Sequence, residues 1–268
     1  MKPVNIILDL LRTYMERGTS VANIMATGAM FGCSENQMRV NLSRLAAKGS
    51  IVNFARGAYR LAEALDPVND FIESWRLGED RTKPWTHTWL LAASSANADA
   101  NNQSRHHWAL YSHGFRPASS ECWVRPDNLA LTHRLLEQRL FQLGISADTV
   151  LASNATIHAR WQKHWHAQFD VAALTKSYLQ THQSLSESMA TLHRLPRQTA
   201  MKETFYLGGH AIQVLAKDPL LPAEFLASEP RQALWQAMLD YDRMGRELWA
   251  DAETDKPSSI PTAKLAFQ

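Results

Sequence analysis

Three short helical periodicities followed by two strand-like runs occupy the first 62 residues, and few folds accommodate that order. Ile6, Ile7, Leu10, Leu11 and Tyr14 recur at helical spacing in a segment predicted to run from Pro3 to about Arg17. Proline suits a helix start, and Gly18 ends the run. A second helix is predicted from Val21 to Phe31, with Ile24, Ala29, Met30 and Phe31 as its apolar side and Gly32 as its break. Ser34 followed three residues later by Gln37 is a capping-box pattern. It opens a third helix that runs to about Lys48 and is closed by Gly49. Residues 50–54 and 58–61 then read as the strands of a hairpin joined around Ala55, Arg56 and Gly57.

This arrangement of helices, turn and hairpin predicts a winged helix-turn-helix over residues 1–62. Projected at helical spacing, Met38, Leu42 and Leu45 of the third helix fall on one side and pack inward. Asn36, Gln37, Val40, Ser43 and Arg44 fall on the opposite side, with Arg39 at one flank and Asn41 and Lys48 at the other. Such a face matches what reading a major groove requires. Arg pairs bidentately with guanine, Asn or Gln with adenine, and Val meets a thymine methyl. Gln37, Arg39, Asn41 and Arg44 are the expected base readers. Ser43 and Lys48 suit phosphates, Ser34 at the helix start is counted among the DNA-binding residues, and Arg56 and Arg60 make the hairpin a basic wing.

The remainder divides by its periodicity. Residues 63–84 read as a connector with one helix near 68–77. Residues 85–156 alternate strand and helix in a βαβαβ order: strand 85–95, helix 101–114, strand 119–125 stopped by Pro126, helix 129–143 and strand 149–155. That order predicts a small ferredoxin-like α+β module. Residues 157–250 carry only helical patterning, punctuated by Pro196, Pro219, Pro222 and Pro230, and 251–268 form a polar tail expected to be mobile. The net charge of +2 does not by itself select a nucleic-acid partner; what matters is where the charges sit. Two distant cysteines, Cys33 and Cys122, the absence of a long apolar run and the lack of a signal-peptide layout together predict a soluble cytoplasmic protein with no membrane partner.

Three blocks of residues stand out, in order along the chain. The first is Phe31-Gly32, Ser34-Glu35, Met38-Arg39-Val40, Leu42, Arg44-Leu45 and Lys48-Gly49. The second is Trp108, Gly114-Phe115 and Trp123-Val124-Arg125-Pro126. The third is Glu203-Thr204-Phe205, Leu207-Gly208-Gly209, Ile212 and Asp218-Pro219-Leu220-Leu221-Pro222. Together these ordered blocks resemble the PaaX family, repressors of phenylacetate catabolism, from which the chain departs in a short wing at residues 55–58 and in Gln213, where members often carry arginine. The resemblance implies a winged helix, a central ferredoxin-like domain related to the CRISPR-adaptation nucleases and a helical C-terminal domain. It also implies a homodimer on a palindromic operator, released by phenylacetyl-CoA.

An acyl-CoA effector needs an apolar wall and cations for its phosphates. Trp108 and Trp123 are candidates for the wall, and Arg105, Arg125, Arg160 and Lys202 for the cations. No catalytic residue, cofactor or metal is expected. His106 with His107, and His158, His164 and His166, lack zinc-ligand spacing, and no acid follows the first middle-domain strand until Asp99, where a metal nuclease needs one. The Leu207-Gly208-Gly209-His210 stretch has no phosphate-loop context and reads as close helix packing. The alternative to an effector-released repressor is a DNA-binding scaffold without ligand input, whose C-terminal helices bind a protein.

Overall fold

The capping box forms as the sequence predicts, and it fixes where the third helix begins. In the computed structural model, which describes residues 1–14, 17–94 and 100–254, α1 (Pro3–Tyr14), α2 (Val21–Met30) and α3 (Glu35–Ala47) surround a core of Ile6, Ile7, Leu10, Leu11, Ile24, Met38, Leu42, Leu45 and Ile51. The Ser34 hydroxyl accepts from the Gln37 N–H at 3.2 Å, and the Gln37 side-chain oxygen accepts from the Ser34 N–H at 2.9 Å. Ser34→Ala is expected to lower stability by about 1 kcal/mol. A urea titration followed by circular dichroism checks this, and an unchanged midpoint would contradict a capping role.

β1 (Thr19–Ser20), β2 (Ile51–Ala55) and β3 (Ala58–Leu61) form an antiparallel sheet in the order β1-β3-β2. β1 is too short for any periodic signal and was not expected; it exists because Thr19 and Ser20 pair with Tyr59 and Ala58. Gly18, at φ +60°, leads into it, and a Cβ there would lie 2.4 Å from the Phe54 ring and 2.5 Å from the Tyr59 carbonyl. Only glycine fits that approach. Residues 15 and 16 of the predicted first helix lie outside the described residues.

The connector folds as α4 (Asp66–Glu73) and a 3₁₀ run (Ser74–Arg81) kinked at Gly78. The middle of the chain holds β4 (Trp89–Ala93), α5 (Ala100–Ser112), β5 (Arg116–Pro117), β6 (Cys122–Pro126), α6 (His133–Leu143) and β7 (Val150–Ala155). Its sheet is antiparallel throughout, in the order β5-β6-β4-β7. The expected βαβαβ order therefore gains a strand. β5 has two residues, one of them Pro117, and alternation cannot reveal it. Pro126 does not stop β6 but ends it opposite Trp89, where a missing N–H is tolerated. The helix expected from Leu129 starts instead at His133 behind a Thr132 cap, and Leu129 sits beneath it in the core.

The C-terminal part is helical: α7 (Ala159–His166), α8 (Val171–Thr191), α9 (Arg197–Ala216) and α10 (Glu229–Thr254). α10 continues through residues 251–254, beyond the helix end at 250 that the sequence predicts, and 255–268 lie outside the described residues. No described helix is long and apolar enough to cross a membrane.

The middle sheet is covered on both faces. Leu90, Ala92 and Trp123 point into a core with α5 and α6, built on Leu110, Leu136 and Leu140. Trp89 and Val124 point the other way, into a core shared with Trp75, Phe169, Tyr178, Phe225, Met238 and Tyr241. The boundary drawn at residue 156 therefore runs through one continuous core. Trp75, Trp85, Trp89, Trp165 and Trp235 belong to it, and Trp89 meets Trp85 and Trp165 edge-on. The N-terminal unit docks on this body through Phe31, whose ring lies 5.0 Å from Phe205 and 5.4 Å from Tyr206, and through Arg12, which donates to the Asn69 side chain at 3.2 Å.

Candidate nucleic-acid interface

Burial of Met38, Leu42 and Leu45 orients α3, so its other side faces solvent. Ser34, Asn36, Gln37, Arg39, Val40, Ser43, Arg44 and Lys48 are exposed, and Asn41 is half-buried at the edge. Local bonds then separate residues that the projection treats alike. The Gln37 oxygen is occupied by the capping box, and Asn41 donates its amide to the Gln37 carbonyl at 2.8 Å. Arg39 donates to Glu35 at 2.8 and 2.5 Å, an exposed i,i+4 pair of little net strength. Arg44 and Lys48 make no ion pair among the described residues. Of the four expected base readers, Arg44 is thus the one whose side chain makes no hydrogen bond or ion pair among the described residues.

The hairpin stands beside this helix. Arg56 is exposed at a tip that Gly57 turns at φ +70°. Arg60 is less available: it is half-buried on the central strand, 4.0 Å from Glu63, and its Nε is buried without a partner. Sequence reasoning passed over Val52 and Phe54, both exposed on β2 with Asn53 between them. No alternation betrays them, because every residue of β2 after Ile51 is exposed. Residues 1–62 carry eight Lys and Arg against three Asp and Glu, whereas the whole chain carries 28 against 26. The positive charge is therefore concentrated on this unit, and the rest of the chain is net acidic.

The six candidate effector residues do not converge. Arg105 lies against Gly144, and Trp108 is partly exposed with its edge on Phe71. Trp123 is buried against His107, Arg160 lies over Trp161 on α7, and Lys202 is on α9. Arg125 is 1% exposed. It donates to the carbonyls of His113, Pro126 and Pro219 and to the Asn128 side chain, so it is a structural clamp that cannot reach a CoA phosphate. Burial lowers its pKa to about 9, which still leaves it charged at neutral pH. A cavity of about 350 Å³ is lined by Arg125 and another of about 450 Å³ by Trp108. The other four candidates line neither. Each of these residues sits on an element placed by long-range packing, which spacing along the chain does not encode.

His106 is likewise structural: its ring accepts from the Ser146 N–H at 3.0 Å and lies 3.2 Å from the Ser94 hydroxyl. Asp99, the acid considered for a nuclease reading, lies outside the described residues.

No model of a known protein family matches this chain, and no curated protein matches it. A solved structure, that of the uncharacterized protein Rv0674 from Mycobacterium tuberculosis, is similar with a TM-score of 0.61 and 22% identity. The similarity covers 93% of this chain and 97% of that one. At that identity the likeness concerns fold alone, and the two chains share an α+β architecture over nearly their whole lengths.

Proposed function

We propose that residues 1–62 act as a winged helix-turn-helix that binds double-stranded DNA, and that the chain is a transcriptional regulator. The observation that carries this reading is the solvent-facing side of α3, where Asn36, Val40, Ser43 and Arg44 stand clear of the core beside a hairpin with Arg56 at its tip. α3 would enter the major groove, Lys48 and Arg56 would hold phosphates, and the concentrated positive charge would steer encounter. The strand order β5-β6-β4-β7 with helices after β4 and β6 supports reading the middle unit as a ferredoxin-like platform between the DNA-binding unit and the helices. By its resemblance to the PaaX repressors, the regulator would work as a homodimer on a palindromic site. Its recognition helices would then lie roughly 34 Å apart or a multiple of that. An aryl-acetyl-CoA would release it.

The test is a fluorescence-anisotropy titration on duplexes selected from a random pool and on DNA upstream of the gene. Tight, sequence-preferring binding that weakens steeply with salt is expected. Arg44→Ala should weaken binding by about 1–3 kcal/mol, roughly 5- to 150-fold, and relax preference at one base pair. Lys48→Ala should weaken all duplexes alike and reduce the salt slope. Binding that shows no sequence preference, or that ignores both substitutions, would refute the proposal. Adding phenylacetyl-CoA to the preferred complex tests release separately.

A further inference from the structure

The cavity of about 350 Å³ lies between α4, the 3₁₀ run, α6 and the loop after α9, and DNA binding does not use it. Its volume falls at the lower end of the range of small-molecule sites, roughly 300–1,000 Å³. Phe71, Leu129, Leu143 and Leu220 give it apolar walls.

Its polar groups are unusual for this chain. Elsewhere the half-buried and buried arginines mostly have carboxylate partners: Arg12 pairs with Asp9, Arg76 with Glu73 and Asp242, and Arg231 with Glu79. Arg81, Arg125 and Arg139 all line this cavity, and none has a carboxylate within ion-pair distance among the described residues. Arg125 spends its donors on carbonyls and an amide oxygen. Arg81 uses two donors, on the Gly78 and Leu215 carbonyls, both at 3.1 Å. Arg139 makes no hydrogen bond among the described residues, although it is held at half burial on α6.

One acceptor is also unused. The Asp218 carboxylate takes the Tyr178 hydroxyl at 2.9 Å and the Leu220 N–H at 2.7 Å on one oxygen. Its other oxygen is buried and has no partner. It is one of several such atoms among the described residues and the only carboxylate oxygen of them, and a ligand donor reaching it would supply the missing bond.

We propose that this cavity is a binding site for a short aliphatic hydroxy-carboxylate. The carboxylate would pair with Arg139 and Arg81, the fork geometry suiting it. The hydroxyl would donate to the free Asp218 oxygen, and the chain would lie along Leu129, Leu143 and Phe71. A monoanion fits better than a dianionic phosphate, because Asp218 lies at the site and the exposed Asp70 and Asp80 stand on its lining.

Isothermal titration of the full chain without DNA, using 3-hydroxyoctanoate, tests this independently of the regulator reading. Saturable binding is expected, at least tenfold weaker for its methyl ester and several-fold weaker for octanoate. Arg139→Gln should lose about tenfold towards the acid while leaving the ester's affinity and the melting temperature unchanged. Arg139 has no hydrogen-bond or ion-pair partner to lose among the described residues, so this variant is expected to fold. No saturable heat with the acid up to millimolar concentration would overturn the site. Equal binding of acid and ester, or indifference to Arg139→Gln, would overturn the carboxylate assignment, and equal binding of octanoate would overturn the role of Asp218.

Discussion

Arg125→Met is expected to destabilise the fold by about 3–5 kcal/mol, a large share of the roughly 5–15 kcal/mol that holds a typical domain together. The arginine is 1% exposed and ties three segments at one point. Its Nε donates to the Pro126 carbonyl at 3.0 Å, and one terminal nitrogen donates to the Asn128 side chain at 2.9 Å and the Pro219 carbonyl at 3.3 Å. The other terminal nitrogen donates to the His113 carbonyl. Asn128 in turn donates to the Leu220 carbonyl at 2.7 Å, so the sheet and the loop after α9 are joined through the same guanidinium. Two effects oppose. Burying the charge is itself unfavourable, and methionine removes that penalty. The acceptors, however, are mostly backbone carbonyls that stay where they are and lose bonds worth about 1.5–3 kcal/mol each. The second effect wins because several acceptors are stranded at once. Arg125→Lys should not rescue, since an ammonium cannot span the fork. Gly114 belongs to the same junction: a Cβ there would lie 2.8 Å from the Pro219 carbonyl and 2.9 Å from the Arg125 guanidinium. Urea denaturation followed by circular dichroism measures the loss, and a change below about 1 kcal/mol would show that the clamp is dispensable.

His113 gives the fold an acid-side weakness. Burial pushes its pKa down to about 4, and the Arg125 and Arg139 charges push the same way against a hydrogen bond to the Ala109 carbonyl. The Ser112 hydroxyl and the Phe71 ring complete its surroundings. The folded protein therefore keeps the ring neutral where the unfolded chain, with its pKa near 6.5, takes up a proton. The stability contribution is fully present above about pH 6.5 and declines as pH falls towards 4, by up to about 1.4 kcal/mol per pH unit and on the order of 3 kcal/mol in all. The His113→Leu variant lacks the titrating ring. The wild-type minus variant difference in unfolding free energy should fall across pH 6.5 to 4 and be level above 7. A difference that does not vary over that window would mean that His113 titrates alike in both states.

The features legible in the sequence act over a few residues. Ser34 and Gln37 cap each other within one turn, so the start of α3 follows from their identities. Met38, Leu42 and Leu45 set which side of that helix faces inward, and with it the exposed side carrying Arg44. Gly57 marks the hairpin tip for the same local reason. What the sequence leaves open is decided by groups far apart along the chain. β1 and β5 are strands only because Tyr59 and Val124 lie alongside them to be paired. The middle sheet and the C-terminal helices share one core because Trp89 and Val124 face Tyr178 and Tyr241. Arg76 finds Asp242 and Arg231 finds Glu79 across more than 150 residues, while among the described residues Arg81 and Arg139 have no carboxylate within ion-pair distance. Periodicity and capping depend on neighbours within one or two turns, so residue order alone determines them. Whether a charge is paired, a tryptophan covered or a cavity left open depends on which distant surfaces meet, and only the folded chain decides that.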